Sequence, residues 1–206
     1  MKGLYAFAAG GLMLGVSALA SLALGQSRRD LAEPKFFDAI ADRGQRSAAL
    51  FGEAGKVILN ARCVNCHPAG DRPLQGADMH LHNPPVVRGP MDIGAAGMAC
   101  VTCHLDANTP IVTASIRSVP GNPKWHVAPL AMAWEGKSLG QICQQIKDPA
   151  RNGGKTLAQL HEHMAKDELV GWGWAPGEGR EPVPGTQARF GEIIQAWIDT
   201  GAVCPP

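Results

Sequence analysis

Two short runs in this chain carry the same arrangement of reactive side chains. Cys63-Val64-Asn65-Cys66-His67 and Cys100-Val101-Thr102-Cys103-His104 each place two thiols three residues apart, with an imidazole directly after. On one helical turn, two thiols so spaced can add to the two vinyl groups of a single porphyrin. The next residue then lies beneath the ring, where its imidazole reaches the iron. Both runs therefore read as c-type haem attachment sites. Cys63, Cys66, Cys100 and Cys103 would bind two haem c groups covalently, and His67 and His104 would ligate their irons. Paired Cys-x-x-Cys also builds zinc sites and dithiol redox centres. Neither explains a histidine directly after both pairs, and the βαβ pattern of a thioredoxin-like centre is absent.

Each iron has a sixth position. The spare histidines are His80, His82, His126, His161 and His163, and the candidate methionines are Met79, Met91, Met98, Met132 and Met164. Imidazole and thioether are the usual protein ligands there. His82 precedes Asn83-Pro84-Pro85, a stiff turn able to hold a ring in place. His126 stands between Trp125 and Val127-Ala128-Pro129, an apolar setting unusual for a surface histidine. His161 and His163 are two apart on an expected helix and point about 200° apart, so they cannot both serve one site. Arg88, Arg117 and Arg180 are candidates for haem propionates, because a guanidinium matches a carboxylate fork.

Four cysteines at haem leave Cys143 and Cys204, which in an oxidising compartment read as a disulfide. It would close a loop of about 60 residues and stabilise the fold by roughly 4 kcal/mol on the chain-entropy model.

The elements that must position these groups are few. Of 206 residues, 25 are Gly and 16 are Pro, and only 5% are aromatic. Such a chain is rich in loops and has a thin side-chain core, which two flat macrocycles would fill. Apolar spacing predicts helix from Phe36 to about Asn60, with possible breaks near Gly44 and Gly52–Gly55. Ser138 to Lys147, Thr156 to Asp167 and Thr186 to Thr200 follow as helices, with Ser138 as an N-cap. Residues 68–99, 105–136 and the Gly/Pro/Trp run 171–185 read as loop, and no segment reads as a convincing strand. The loop with Trp172 and Trp174 is expected to be a lid on a haem edge; the competing reading is a docking surface. Cys63 and Cys100 are 37 positions apart, too few for a complete first domain, so both haems are expected close together in one fold.

The first residues differ in character. After Lys2 no charge occurs until Arg28, and the run is apolar with small residues near its end. Residues 1–25 read as a secretory signal cleaved after Ala23-Leu24-Gly25, with Ala18-Leu19-Ala20 as a second cleavage option and an uncleaved membrane anchor as the alternative. A mature domain over 26–206 would be periplasmic. A net charge of +1 speaks against a nucleic-acid surface.

CVNCH and CVTCH resemble the haem sites of multihaem c-type cytochromes. The runs PGNPKWHVAP, ICQQIKDPARNGG, HEHMAKDELVGWGWAPGEGR and WIDTGAVCP resemble a family of small exported dihaem proteins, sometimes labelled isoquinoline 1-oxidoreductase subunits. The likeness spans about residues 55–206. It implies an electron carrier for a periplasmic molybdenum hydroxylase. It also favours His82, His126 and His163 as sixth ligands, through Arg88-Gly89-Pro90 downstream of the first, the Trp-His-x-Ala-Pro run around the second and the His-Met to Trp-Gly-Trp run around the third.

The expectation is a mainly α, loop-rich single domain, cytochrome c-like, packed around two covalent haems. Its work would be one-electron transfer between redox partner proteins, with membrane association only if the N-terminal segment is retained. The rival class is a dihaem enzyme of peroxidase type, or a haem sensor, with one open iron. A third is an anchored structural subunit of a respiratory complex.

Overall fold

Asp42, Ser138, Thr156 and Thr186 each start a helix by accepting a hydrogen bond from a backbone N–H in the first turn. These helices are α1 (Arg43–Ile58), α3 (Leu139–Lys147), α4 (Leu157–Lys166) and α6 (Gln187–Asp199). Two four-residue helices, α2 (Ala61–Val64) and α5 (Glu168–Gly171), complete the set. At Ser138 and Thr156 the bond is reciprocal: Gln141 and Gln159 reach back to the cap N–H in a capping box. The computed structural model describes residues 30–110 and 118–206. The expected signal segment, 1–25, and Arg117 lie outside them.

The chain is one mainly helical domain. α1 packs against α6, α4 packs on the other side of α6, and α3 closes the group against α1. Leu50, Phe51, Val57 and Ile58 from α1 meet Ile142 and Ile146 from α3, Leu160 and Met164 from α4, and Ile193, Ile194 and Trp197 from α6. Phe51 and Trp197 meet with ring centres 4.8 Å apart. Two glycines set the helix spacing. A Cβ on Gly55 would come within 2.5 Å of Leu139 Cδ2, and one on Gly191 within 2.6 Å of Ala165 Cβ. Glycine is therefore what lets α1 meet the start of α3, and α6 meet α4, at this distance. The disulfide Cys143–Cys204 ties α3 to the C-terminus across 61 positions.

The helix expected from Phe36 is two pieces, a 3-10 turn (Pro34–Ala39) and α1. The break falls at Ile40–Asp42, where Asp42 caps α1, while Gly44, Gly52 and Gly55 are inside the helix. The expectation of no strand needs a small correction. Two hairpins of two-residue strands occur: β1 (Leu74–Gln75) with β2 (His80–Leu81), and β3 (Gly94–Ala95) with β4 (Met98–Ala99). Two residues are too short a run for strand alternation to register in the sequence. The run 171–185, read as loop, begins with the end of α5 and a 3-10 turn (Trp172–Trp174).

No helix of the described residues is long and apolar enough to cross a membrane. The four helices form one half of the domain. Residues 60–110 and 118–135, almost all loop and turn, form the other, and the first of these stretches contains both cysteine motifs.

Candidate functional site

Asn60 accepts a hydrogen bond from Arg62 N at 2.9 Å and so starts α2. The turn continues past its end, with Cys66 N donating to Cys63 O at 3.1 Å and His67 N to Val64 O at 2.9 Å. Cys63 and Cys66 therefore share one turn, as attachment to one porphyrin requires. The second motif turns more tightly. Cys100–Thr102 is a 3-10 turn, closed by His104 N donating to Cys100 O at 2.9 Å. All four motif cysteines are free thiols. Burial pushes the Cys63 thiol up to about 12 and the Cys66 thiol up to about 11. The neighbouring Cys66 charge adds to the first shift and that of Cys100 to the second. Charge felt between Cys66 and Cys100 means that the two motifs lie beside each other, as the short spacing predicts.

The two motif histidines are held in the same way. His67 Nδ1 donates to Met132 O at 2.7 Å, and His104 Nδ1 donates to Pro120 O at 2.8 Å. A carbonyl can only accept, so each Nδ1 carries the proton and each Nε2 keeps its lone pair. His67 lies flat on Trp134 with ring centres 3.6 Å apart and planes within 9°. His104 lies flat on Trp125 at 4.4 Å and 10°. Burial pushes His67 down to about 4, against the opposing pull of the Met132 bond. Positive charge on His163, Arg88 and His126 pushes the same way as burial. His104 is likewise pushed down to about 4, mainly by burial and also by His82 and Arg180. Both rings are neutral near pH 7, the state in which imidazole binds a metal.

One segment, residues 118–135, supplies most of this setting. Its Pro120 and Met132 carbonyls and its Trp125 and Trp134 rings hold the two imidazoles. Ala128 N donates to Cys66 O at 2.7 Å, and Trp134 N to His67 O at 2.8 Å. Arg88 ties this segment to the loop that follows the first motif. Its guanidinium donates to Asp92 Oδ1 at 2.6 Å, to the carbonyls of Pro68 and Gly70 at 3.4 and 3.3 Å, and to Ala128 O. Arg88 is thus an internal clamp rather than a side chain held out for a ligand. Arg180 bonds to Ser118 Oγ at 2.6 Å and to the Ser118 carbonyl.

The spare histidines separate by place. His82 directly follows β2, with its ring centre 5.9 Å from that of His104, and its Nδ1 donates to Pro84 O at 2.9 Å. His126 and His163 both lie near enough to His67 to act on its charge. His126 Nδ1 donates to Lys124 O at 2.6 Å, and His163 Nδ1 is 3.3 Å from Asp167 Oδ2. His80 is bound at the surface by Asp78 and Gln75. Met132 and Met164 are buried in the helical core. The Trp loop divides. Trp172 packs edge-on against Trp125, ring centres 5.0 Å apart, while Trp174 packs on Phe190 at 5.7 Å in the core. One indole, not both, belongs to the site.

The surroundings fit a large, flat group with carboxylates. Among the described residues, buried side-chain polar atoms without a hydrogen-bond partner include Arg72 Nε, Arg88 Nε and Trp134 Nε1, all donors near the motifs. Buried donors call for acceptors, and haem propionates are acceptors. Among the described residues, eight of the twelve large apolar side chains that stand exposed fall between Met79 and Leu105, around the second motif. A macrocycle seated there would cover such a face. No three His, Cys, Asp or Glu side chains among the described residues converge as a site for a bare metal ion.

Sequence reasoning missed Trp134 and the two accepting carbonyls, and it used Trp125 only as a neighbour of His126. A backbone carbonyl has no sequence signature. The recurrence of a Trp in the one segment that bridges both motifs was the available signal. Comparison with family models, with curated proteins and with solved structures finds no match to this chain.

Proposed function

We propose that the chain is an exported dihaem cytochrome c, periplasmic in its mature form, that transfers one electron at a time between redox partner proteins. One partner would be an oxidoreductase such as a molybdenum hydroxylase, as the sequence resemblance implies. The observation that carries the reading is the matched setting of His67 and His104. Each directly follows a Cys-x-x-Cys pair, gives its Nδ1 proton to a backbone carbonyl and lies flat on a tryptophan. A surface histidine needs none of this; a metal ligand needs its tautomer and plane fixed.

Haem c, when bound, supplies the one-electron iron couple, and the protein supplies attachment, orientation and electrostatics. Cys63 and Cys66, and Cys100 and Cys103, would hold the two groups by thioether bonds. Met132 O and Pro120 O hold the Nδ1 protons and so make each Nε2 more basic, favouring oxidised iron. Trp134 and Trp125 keep the rings from turning, which lowers the reorganisation that accompanies a change of charge. Arg72 and Trp134 offer N–H groups to propionates.

Denaturing mass spectrometry of the mature protein tests the reading. The expected mass is that of the chain plus two haems, mapped to the peptides of Cys63–His67 and Cys100–His104. A mass without haem, or zinc in its place, would overturn it. In the native protein both irons should be low-spin. A high-spin iron that reacts rapidly with peroxide would favour the enzyme class instead.

A further inference from the structure

The ring centres of His82 and His104 lie 5.9 Å apart, with planes inclined by 62°. This is not a stack, since the stacked pairs of the site are at 3.6 and 4.4 Å. Nor is it a hydrogen-bonded pair. His82 Nδ1 donates to Pro84 O and His104 Nδ1 donates to Pro120 O. Both Nε2 atoms are then acceptors, and two acceptors cannot bond each other. Two unprotonated Nε2 atoms on rings this close can serve one electrophile. An imidazole nitrogen sits about 2.0 Å from a first-row metal and about 1.1 Å from its own ring centre, so imidazoles trans on one metal have ring centres about 6.2 Å apart.

From this geometry we propose that His82 is the sixth ligand of the iron attached at Cys100 and Cys103, trans to His104. The inference rests on the dihaem reading and adds which histidine serves which iron. The backbone around His82 is built to hold it. His82 N donates to Pro73 O at 3.0 Å, Arg72 donates to His82 O at 2.8 Å, and Asn83 N donates to Gln75 Oε1 at 3.1 Å. The β1–β2 hairpin that delivers the ring hangs from the other motif. Leu74 N donates to Asn65 O at 3.2 Å, and Asn65 Nδ2 donates to Gly76 O at 2.9 Å. Asn65 lies between Cys63 and Cys66, so the ligand of the second iron is suspended from the first attachment loop. The two centres are interlocked through the chain as well as adjacent in space.

The test is His82→Ala in the full holoprotein, read by haem count, spin state and carbon monoxide uptake. We expect two haems by mass, one high-spin iron, uptake of one carbon monoxide per chain, and recovery of the low-spin spectrum on adding imidazole. Two haems with both irons low-spin and no carbon monoxide uptake would overturn the assignment while leaving the dihaem reading intact. Absence of haem would instead count against that reading. His82→Met gives an independent readout if the alanine variant folds poorly. That iron should stay six-coordinate and its potential alone should rise, because thioether favours the reduced state relative to imidazole; two unchanged potentials would reject the proposal. The pairing with His104 is tested by His82→Ala combined with His104→Ala. One untouched low-spin haem should remain by electron paramagnetic resonance. Loss of both low-spin signals would place the two histidines on different irons.

Discussion

Trp134 lies against the full face of His67, 3.6 Å between ring centres and 9° from parallel. The contact fixes one rotation of the imidazole, and the Met132 carbonyl fixes another. Trp134 is 7% exposed and belongs to the core. The same side chain therefore links the helical half to the first cysteine motif.

Replacing Trp134 should affect both stability and ligand order. Truncation of a buried large aromatic costs about 3 kcal/mol or more. Trp134→Ala should lower the denaturation midpoint by that order, and Trp134→Phe, which keeps a stacking face, should cost clearly less. Equal losses for the two variants would show that the stack contributes little.

The disulfide predicts a labelling result. If the four motif cysteines are in thioether bonds, as proposed, then with Cys143 bonded to Cys204 the unfolded, unreduced protein should take up no thiol reagent. After reduction, the same protein should label at both positions. Replacing both by Ala should cost about 4 kcal/mol on the chain-entropy model, measured by chemical denaturation.

Arg88 predicts a large penalty at a site outside the cysteine motifs. Arg88→Met would leave the Asp92 carboxylate without its cation and three carbonyl contacts unmade. Breaking a buried pair from one side costs about 3–5 kcal/mol. Arg88→Lys should recover only part of this, because an ammonium cannot fork to the same carbonyls. Full stability in the lysine variant would contradict the clamp.

Acid should destabilise the protein in a defined window. His67 and His104 protonate only near pH 4 when folded, against about 6.5 for an unperturbed histidine. Between those values the unfolded chain binds protons that the folded chain refuses. Stability is thus fully present above about pH 6.5 and declines as pH falls towards 4. Iron ligation acts in the same direction, since it also needs unprotonated nitrogen. Denaturant midpoints measured across this window should fall steadily towards acid; a flat profile would argue against buried neutral imidazoles.

If His82 serves the second iron, as proposed, the first would draw on His126 or His163, both of which act on His67. His126→Ala and His163→Ala, each in the holoprotein, should give opposite results. The true ligand's variant should bind one carbon monoxide per chain, and the other should keep the parent spectrum. If both were silent, neither would be a ligand of the first iron.

How much of this was legible beforehand depends on the range of the forces involved. The helices from Ser138, Thr156 and Thr186 were readable because caps and apolar spacing act within a few residues. The two cysteine motifs were readable for the same reason, since their chemistry is contained in five consecutive residues. The pairing of Cys143 with Cys204 followed from the small number of cysteines left over. The break before α1, the two hairpins and the placing of Trp125 were not readable. Gly55 and Gly191 looked like helix breakers or neutral positions, yet they are where helices approach closely, and only the facing residues Leu139 and Ala165 reveal that. The loop half shows the limit most clearly. Residues 60–110 and 118–135 have almost no periodic structure, so nothing local says which carbonyl will meet His67 or which spare histidine will stand 5.9 Å from His104. Those choices are made by contacts between residues tens of positions apart, such as His67 with Met132 and Trp134, and Arg88 with Ala128. The sequence by itself determined the chemistry available at the two motifs. Only the folded chain decided how their imidazoles are held, because a ring's direction depends on long-range hydrogen bonds and packing that no local pattern encodes.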